Sequence, residues 1–184
     1  MKMPKYKFVA LEDYTPRRLE YDCIYETKLT NKSLSFPGVG FEEARRLLAD
    51  GRVGGLIMEK MVSTIFSESL MEAHKNSVYD FKEKGSETLL ECKVITKHGV
   101  DPRPSNMKGQ GRRHNEKLYV GQLNRLSYFI FVDIHLIGLL DSEPIVRIIP
   151  VPTNHKVLWR ANGSPVSNIS VKTIEKEFYK LEAP

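Results

Sequence analysis

An acid and a base stand two positions apart inside an apolar segment of the chain. Glu91 and Lys93 belong to the run Leu-Leu-Glu-Cys-Lys-Val-Ile at 89–95. Alternate residues of a β-strand share one face of the sheet, so both charged side chains point the same way from a strand that is otherwise apolar. Burying one charge alone costs several kcal/mol, so we expect the two to be paired, to bind a metal ion or to line a cleft.

A second acid, Asp80, precedes Glu91 by eleven positions and belongs to another strand-like segment. The polar residues 83–87, with Gly85 among them, predict a β-hairpin between the two strands. A turn centred on Gly85 sets Asp80 opposite Leu90, whereas a register one residue longer sets it opposite Glu91. Cross-strand neighbours have Cβ atoms roughly 5 Å apart, so the two carboxylates converge in the second register.

Two converging carboxylates repel each other, and a divalent cation relieves that repulsion. An all-oxygen site of this kind suits Mg²⁺, which keeps several waters and accepts a phosphate oxygen. A neighbouring lysine can hold the attacking water. Asp80, Glu91 and Lys93 therefore suit metal-assisted hydrolysis of a phosphodiester bond.

The pattern resembles that of the PD-(D/E)xK nuclease superfamily, which includes many type II restriction enzymes, phage nucleases and some junction resolvases. Asp80, ten intervening residues and then Glu91-Cys92-Lys93 carry the resemblance. In that family the two acids bind metal, the main-chain carbonyl of the middle residue, here Cys92, often joins them, and the lysine positions or activates the water.

The resemblance covers about residues 54–96, with Tyr79 where the family name has proline. The helix before the hairpin often supplies another acid in this family, and Glu59 is the matching position. The resemblance implies a Mg²⁺-dependent DNA endonuclease, of restriction type or phage-encoded, that cuts double-stranded DNA as a homodimer and uses no organic cofactor. It also implies the cytoplasm of a bacterial, archaeal or phage-infected cell.

Other interpretations remain open at this point. A structure-selective nuclease of the junction-resolvase type would use the same residues on branched DNA, and a non-catalytic nucleic-acid-binding protein would bind DNA without cutting it. A rival motif, Glu26-Thr27-Lys28 with Asp13 upstream, ranks lower because its flanks are more polar and no amphipathic helix precedes it.

Positive charge is concentrated in one segment of the chain. Lys and Arg outnumber Asp and Glu by 28 to 23, for a net charge of +5, which favours a polyanionic partner. We expect the segment 101–115, which contains two prolines and two glycines, to be a loop that contacts DNA phosphates. Lys117 and Gln122 are expected to reach the active site from the helix that follows. The predicted DNA-binding residues are Arg103, Lys108, Arg112, Arg113, Lys117 and Gln122.

The pattern of apolar residues predicts an α/β domain with a restriction-endonuclease-like core, in which a central mixed β-sheet is flanked by α-helices. We expect one domain spanning 1–184, in which 1–40 extend the core, 54–151 form the catalytic core and 170–182 form a C-terminal helix. The predicted helices run from Phe41 to Gly51, from Gly54-Gly55 to about Ala73 and from Leu118 to Leu126; further strands are predicted at 7–11, 23–29, 128–137 and 145–151.

The composition is that of an ordinary globular protein, with 41% hydrophobic residues and no segment long enough to cross a membrane. The basic N-terminus is not followed by the apolar stretch of a secretory signal. Two cysteines, Cys23 and Cys92, make no disulfide framework, so we expect a soluble protein of a reducing compartment.

Overall fold

The structure is a computed structural model that describes residues 6–30, 33, 38–74, 77–104, 107, 115–137, 139 and 143–179. Its strands are β1 (Lys7–Ala10), β2 (Cys23–Lys28), β3 (Leu70–Glu72), β4 (Phe81–Glu83), β5 (Leu89–Ile95), β6 (Tyr128–Asp133) and β7 (Ile145–Pro152). Its α-helices are α1 (Phe41–Ala49), α2 (Gly51–Ile65), α3 (Glu116–Arg125) and α4 (Val171–Ile174); a 3-10 turn follows β7 at Lys156–Leu158, and α4 continues into a π-helical turn at Glu175–Tyr179.

The strands form one mixed sheet of seven, in the order β1-β2-β7-β6-β5-β4-β3. Strands β3, β4 and β5 are an antiparallel meander, and β5 then pairs parallel with β6. Helix α3 connects those two parallel strands. The region 1–40, which we predicted to extend the core, contributes β1 and β2, and β2 pairs antiparallel with β7 inside the same sheet.

Helices cover both faces of this sheet, which confirms the mixed α/β class. Strand β6 shows the division most clearly because its side chains alternate between two cores. Ile130 and Val132 belong to the core that includes α1 and α2. Phe129 and Phe131 belong to the core that includes α3 and the C-terminal helix. Alternation along a strand buried on both faces produces this arrangement.

Two predicted elements end earlier than we expected. Helix α2 stops at Ile65 instead of about Ala73, because the segment from Leu70 onward forms β3 and pairs with β4. Strand β6 stops at Asp133 instead of Ile137, where a turn begins that is closed by a hydrogen bond from the Ile137 amide to the Ile134 carbonyl. In both places the backbone finds partners that a local apolar pattern does not specify.

The start of α2 also differs from the prediction. The pair Gly54-Gly55 was expected to precede the helix, yet both glycines lie inside it, and the Gly54 amide donates to the Asp50 carbonyl. Helix α1 ends at Ala49, two residues before the predicted stop at Gly51, and Gly51 begins α2 instead of capping α1, so Asp50 alone separates the two helices. Within the described residues, no helix has the length and apolar character needed to cross a membrane.

Candidate active site

The hairpin places both predicted acids on the lining of one cleft. Strands β4 and β5 pair with Phe81 opposite Leu90 and Lys82 opposite Leu89. These pairs follow the longer of the two registers considered from the sequence, but that register ends at Phe81. The Asp80 amide donates to the Leu90 carbonyl at 3.0 Å, so Asp80 lies beside Leu90 and not directly opposite Glu91. The turn is fixed by Gly85, whose φ of 76° lies in the left-handed region that favours glycine.

A backbone contact holds Asp80 against the neighbouring strand. The amide of Cys92 donates a hydrogen bond of 2.7 Å to Oδ2 of Asp80. Because the N–H and C=O of one strand residue point to the same edge of that strand, the Cys92 carbonyl is directed toward this edge as well. One carboxylate and one main-chain carbonyl therefore lie beside each other where the pairing with β4 ends.

Glu91 and Lys93 form an ion pair within the sheet. The distance from Lys93 Nζ to Glu91 Oε1 is 2.5 Å, and each side chain is only 11% exposed. The pairing confirms one of the three outcomes expected for two charges in an apolar strand. Cys92, between them, packs on the opposite face in the core with α1 and α2.

Glu59 lies close to the other acids from the side of α2. It lines a small cleft of about 300 Å³ together with Glu72, His74 and Asp80. Partial burial, and then the negative charges of Asp80 and Glu91, raise the pKa of Glu59 to about 7. The positive charge of Lys93 acts in the opposite direction and lowers the pKa of Glu59.

Asp80 shows a related effect. Burial raises the pKa of its carboxyl, while the hydrogen bond from the Cys92 amide and the charge of Lys93 act against the increase. A buried acid with a raised pKa beside a second acid is a common feature of sites that bind cations or perform acid-base chemistry.

Asp80 and Glu91 also line a larger cleft of about 600 Å³, which we call the catalytic cleft after the activity predicted from the sequence. Asp80 lines both this cleft and the smaller one at Glu59, and Glu91 lines the larger one alone. Helix α3 forms the opposite wall, and Asn115 caps its N-terminus by accepting a hydrogen bond from the Leu118 amide. The catalytic cleft is lined by Ser77, Val78, Asp80, Glu91, Pro104, Met107, Asn115, Lys117, Leu118, Gly121, Gln122 and Arg125.

The wall formed by α3 brings basic and amide groups to face the acids. Lys117 and Gln122, both predicted site residues, line the cleft. Gln122 Oε1 is buried and has no hydrogen-bond partner within the described parts of the chain. A buried oxygen of this kind is costly unless a ligand or water satisfies it, so its position favours a site that binds something polar.

Arg125 lines the same cleft and was missed in the sequence analysis. A signal for it was present, because Lys117, Gly121 and Arg125 are spaced four apart on the predicted helix and so share a face. The other face of α3 carries Tyr119 and Leu123 into the core.

The structure describes only some of the residues that were predicted to contact phosphates. Arg103 is bound by Asp101 through two hydrogen bonds, Nε to Oδ1 at 2.9 Å and Nη2 to Oδ2 at 2.7 Å, and it does not line the catalytic cleft. Lys108, Arg112 and Arg113 lie outside the described residues.

The rival motif around Glu26 does not form a shared site. Glu26 accepts a hydrogen bond from Arg147 at 2.7 Å, and Lys28 pairs with Glu143. Asp13 is 65% exposed and pairs with Arg17. Each charged residue of this motif thus has its own separate partner.

Among the described residues, one group of three side chains has its possible metal-ligand atoms all within 4.8 Å of one another. The three residues are Glu20, Asp22 and Cys23. Asp22 is already paired with Lys7 at 3.1 Å. Burial raises the pKa of the Cys23 thiol to about 11, so it remains protonated at neutral pH and is a poor metal ligand. We therefore do not expect Glu20, Asp22 and Cys23 to bind a metal ion.

In comparisons with known proteins, no family model, no curated protein and no solved structure matched the chain. The chemistry of the catalytic cleft is therefore inferred from its own residues.

Proposed function

We propose that the protein is a Mg²⁺-dependent endonuclease that hydrolyses phosphodiester bonds of double-stranded DNA on a restriction-endonuclease-like core. The observation that carries the proposal is that Asp80 and Glu91 line one cleft, with Lys93 paired to Glu91, and that α3 brings basic side chains to the same cleft. The resemblance of Asp80, Glu91 and Lys93 to the PD-(D/E)xK pattern supports the same activity.

The chain's own donor set fits a hard cation. Asp80 and Glu91 supply carboxylate oxygens to the cleft, and the Cys92 carbonyl is directed toward the same edge. The carboxylate oxygens of Glu59, Asp80 and Glu91 do not all lie within 4.8 Å of one another, so a bound cation would take part of its ligands from water. Burial is the main cause of the raised pKa of both Glu59 and Asp80, and at Glu59 the negative charges of Asp80 and Glu91 raise the pKa further. When bound, Mg²⁺ supplies charge neutralisation and a water of lowered pKa.

Lys93 has a second role in this proposal. Its ammonium group donates to Glu91 Oε1 at 2.5 Å, and Glu91 lines the cleft. An ammonium has three N–H donors, so two remain to orient a water molecule beside the scissile phosphate. The low exposure of Lys93 limits the number of positions that such a water can occupy.

The opposite wall matches a phosphate backbone. Lys117 and Arg125 are cations with no acid partner in the described parts of the chain, and both face the cleft. Arg125 can donate two parallel hydrogen bonds to one phosphate, and Lys117 acts as a compact charge. Gln122 adds an amide that can pair with a polar group of the substrate.

The test is cleavage of supercoiled, linear and branched DNA by the wild type, with Mg²⁺ and with EDTA. Glu91→Gln and Lys93→Ala are each expected to reduce the rate at least about a hundredfold, because each removes a group that contacts the reacting water or the cation. Glu87→Gln is the matched control, since Glu87 is 94% exposed in the hairpin turn and far more accessible than Glu91.

Discrete Mg²⁺-dependent fragments that are lost in both site variants and kept in the control would support the proposal. Cleavage of branched DNA alone would assign the same residues to a structure-selective nuclease. DNA binding without cleavage of any of the three substrates would overturn the catalytic proposal and leave a DNA-binding protein.

A further inference from the structure

A second large cleft lies at the carboxyl ends of the parallel strands β5 and β6. It measures about 670 Å³ and shares no lining residue with the catalytic cleft. We call it the carboxyl-end cleft. Its lining residues are Arg46, Ala49, Asp50, Gly51, Thr96, Lys97, His98, Ile134, His135 and Leu139. In open α/β sheets, ligands commonly bind outside the carboxyl ends of the strands.

The polar lining of this cleft is predominantly basic. Arg46, Lys97, His98 and His135 face a single carboxylate, that of Asp50, which has an interaction of its own. Within the described parts of the chain, the side chains of Arg46 and Lys97 make no ion pair. By contrast, the Lys60 ammonium elsewhere on the surface binds Glu72 at 2.7 Å.

A tight turn fixes the position of Lys97 and His98. The Thr96 amide donates to the Gly99 carbonyl at 3.1 Å, and the Gly99 amide donates back to the Thr96 carbonyl at 2.9 Å. Gly99 has a φ of 87°, and a Cβ there would lie 2.1 Å from the Ile169 carbonyl oxygen. Any side chain at this position would clash with the backbone of Ile169, so the turn requires glycine, and its two hydrogen bonds hold the backbone that carries Lys97 and His98.

His135 is held by a buried carboxylate. Its Nδ1 lies 2.6 Å from Asp133 Oδ1, and the Tyr179 hydroxyl donates to Asp133 Oδ2 at 2.5 Å. The hydrogen bond to Asp133 raises the pKa of His135, which favours the charged imidazolium. Nε2 lies 3.7 Å from Glu175 Oε1, which is within ion-pair distance but too far for a hydrogen bond. The Glu175 side chain is half exposed, so a ligand oxygen that accepts the Nε2 proton would take the place of this carboxylate beside His135.

We propose that the carboxyl-end cleft binds a phosphate group through Arg46, Lys97 and His135. A guanidinium, an ammonium and an imidazolium on three separate elements surround one cleft, and charge-assisted hydrogen bonds to phosphate oxygens are the interactions that such a set makes best. The phosphate can come from the backbone of a nucleic acid or from a free phosphate compound. The proposal does not depend on nuclease activity at the other cleft.

Backbone amide NMR spectra of the full chain in EDTA test the proposal, with two probes added separately at constant ionic strength. One probe is inorganic phosphate, and the other is a short DNA duplex without terminal phosphates. The variant Arg46→Ala/Lys97→Ala removes two cations of the cleft. Lys172→Ala/Lys176→Ala removes the same charge from exposed positions of the C-terminal helix. Lys97→Glu is a second variant that reverses one charge of the cleft.

Saturable shifts at Lys97, His98 and Ile134 are expected with at least one probe. The affinity of that probe is expected to fall about tenfold in the cleft variants and to stay unchanged in the control pair. If the duplex is the ligand, the salt dependence of its binding should also fall, by roughly 0.9 in the logarithmic slope for each cation removed. If only the affinity for inorganic phosphate falls in the cleft variants, the natural ligand is a free phosphate compound.

Two results would overturn the proposal. One is the absence of saturable shifts at the turn with both probes. The other is an equal loss of affinity in the cleft variants and in the control pair, which would attribute binding to net charge. Because EDTA prevents metal-dependent cleavage, neither result depends on whether the catalytic cleft hydrolyses DNA.

Discussion

The amide of Cys92 donates to the side chain of Asp80 at 2.7 Å, at the point where β4 no longer pairs with β5. The Asp80 carboxylate thus takes the place of a carbonyl of the neighbouring strand. Because Glu91 belongs to β5, this hydrogen bond fixes Asp80 relative to Glu91. Sites positioned by strand backbones are more rigid than sites positioned by loops. This hydrogen bond gives Asp80 a structural role that is separable from its chemical one.

The two roles of Asp80 can be separated by comparing Asp80→Asn with Asp80→Ala. Asparagine keeps an oxygen acceptor for the Cys92 amide and removes a charge that burial disfavours, so we expect no loss of stability at pH 8. Alanine leaves that amide without its acceptor, at a cost of about 1–3 kcal/mol. Both variants are expected to lose DNA cleavage. Urea denaturation measures the first effect, and equal destabilisation by both variants would contradict it.

Stability is expected to depend on pH through Glu59. Its pKa in the folded protein is raised from 4.5 to about 7, so the folded state holds a proton that the unfolded state has already lost in this range. Folding stability therefore decreases as the pH rises from about 4.5 to about 7. Glu59→Gln should reduce this decrease and be more stable than the wild type above pH 7.

Thermal unfolding in EDTA at several pH values measures the effect of Glu59. The raised pKa of Asp80 acts in the same direction, so Glu59→Gln is expected to reduce the pH dependence without removing it. The exposed Glu87→Gln serves as the control and should follow the wild-type curve. Parallel curves for Glu59→Gln and the wild type would show that Glu59 titrates normally.

The junction of α1 and α2 makes two adjacent glycines respond differently to alanine. A Cβ at Gly54 would lie 2.3 Å from the Leu48 carbonyl oxygen, whereas a Cβ at Gly55 has no neighbour within 4 Å. Alanine is favoured over glycine in a helix by about 1 kcal/mol, so Gly55→Ala should stabilise the protein by up to that amount. Gly54→Ala should destabilise the protein, because the backbone at Leu48 must move to make room for the added methyl group.

Urea denaturation of the two glycine variants provides its own control, since both substitutions add one methyl group to the same helix. Cleavage activity is expected to change little in Gly55→Ala. Stabilisation by Gly54→Ala would show that α1 and α2 are further apart than this structure has them.

The sequence predicts the pairing of Glu91 with Lys93 better than it predicts the ends of the surrounding elements. The pairing of Glu91 with Lys93 follows from strand alternation and from the cost of burying single charges, both of which are local properties. The position of Asp80 was undecided because a shift of one residue in the hairpin changes its neighbour, and the composition of the turn does not fix the register.

Long-range pairing explains the elements that were misplaced. Leu70 continues the apolar pattern of α2, but the segment finds strand partners on β4, and only the folded sheet shows this competition. Strands β1 and β2 are short, and their places in the sheet depend on β7, more than a hundred residues later in the chain. Arg125, in contrast, could have been predicted from the sequence, because residues spaced four and eight positions from Lys117 share its face of the helix.

The two cleft cations of α3 and the paired Arg103 make a direct comparison for DNA binding. Lys117 and Arg125 line the catalytic cleft, whereas the charge of Arg103 is bound by Asp101. With EDTA present, Lys117→Ala and Arg125→Ala should each weaken duplex binding and lower its logarithmic salt dependence by roughly 0.9, the value for one lost phosphate contact. Arg103→Ala should leave both quantities close to those of the wild type. Fluorescence anisotropy across a salt series measures them, and a larger effect from Arg103→Ala than from Arg125→Ala would place the DNA along the loop before α3 instead of in the cleft.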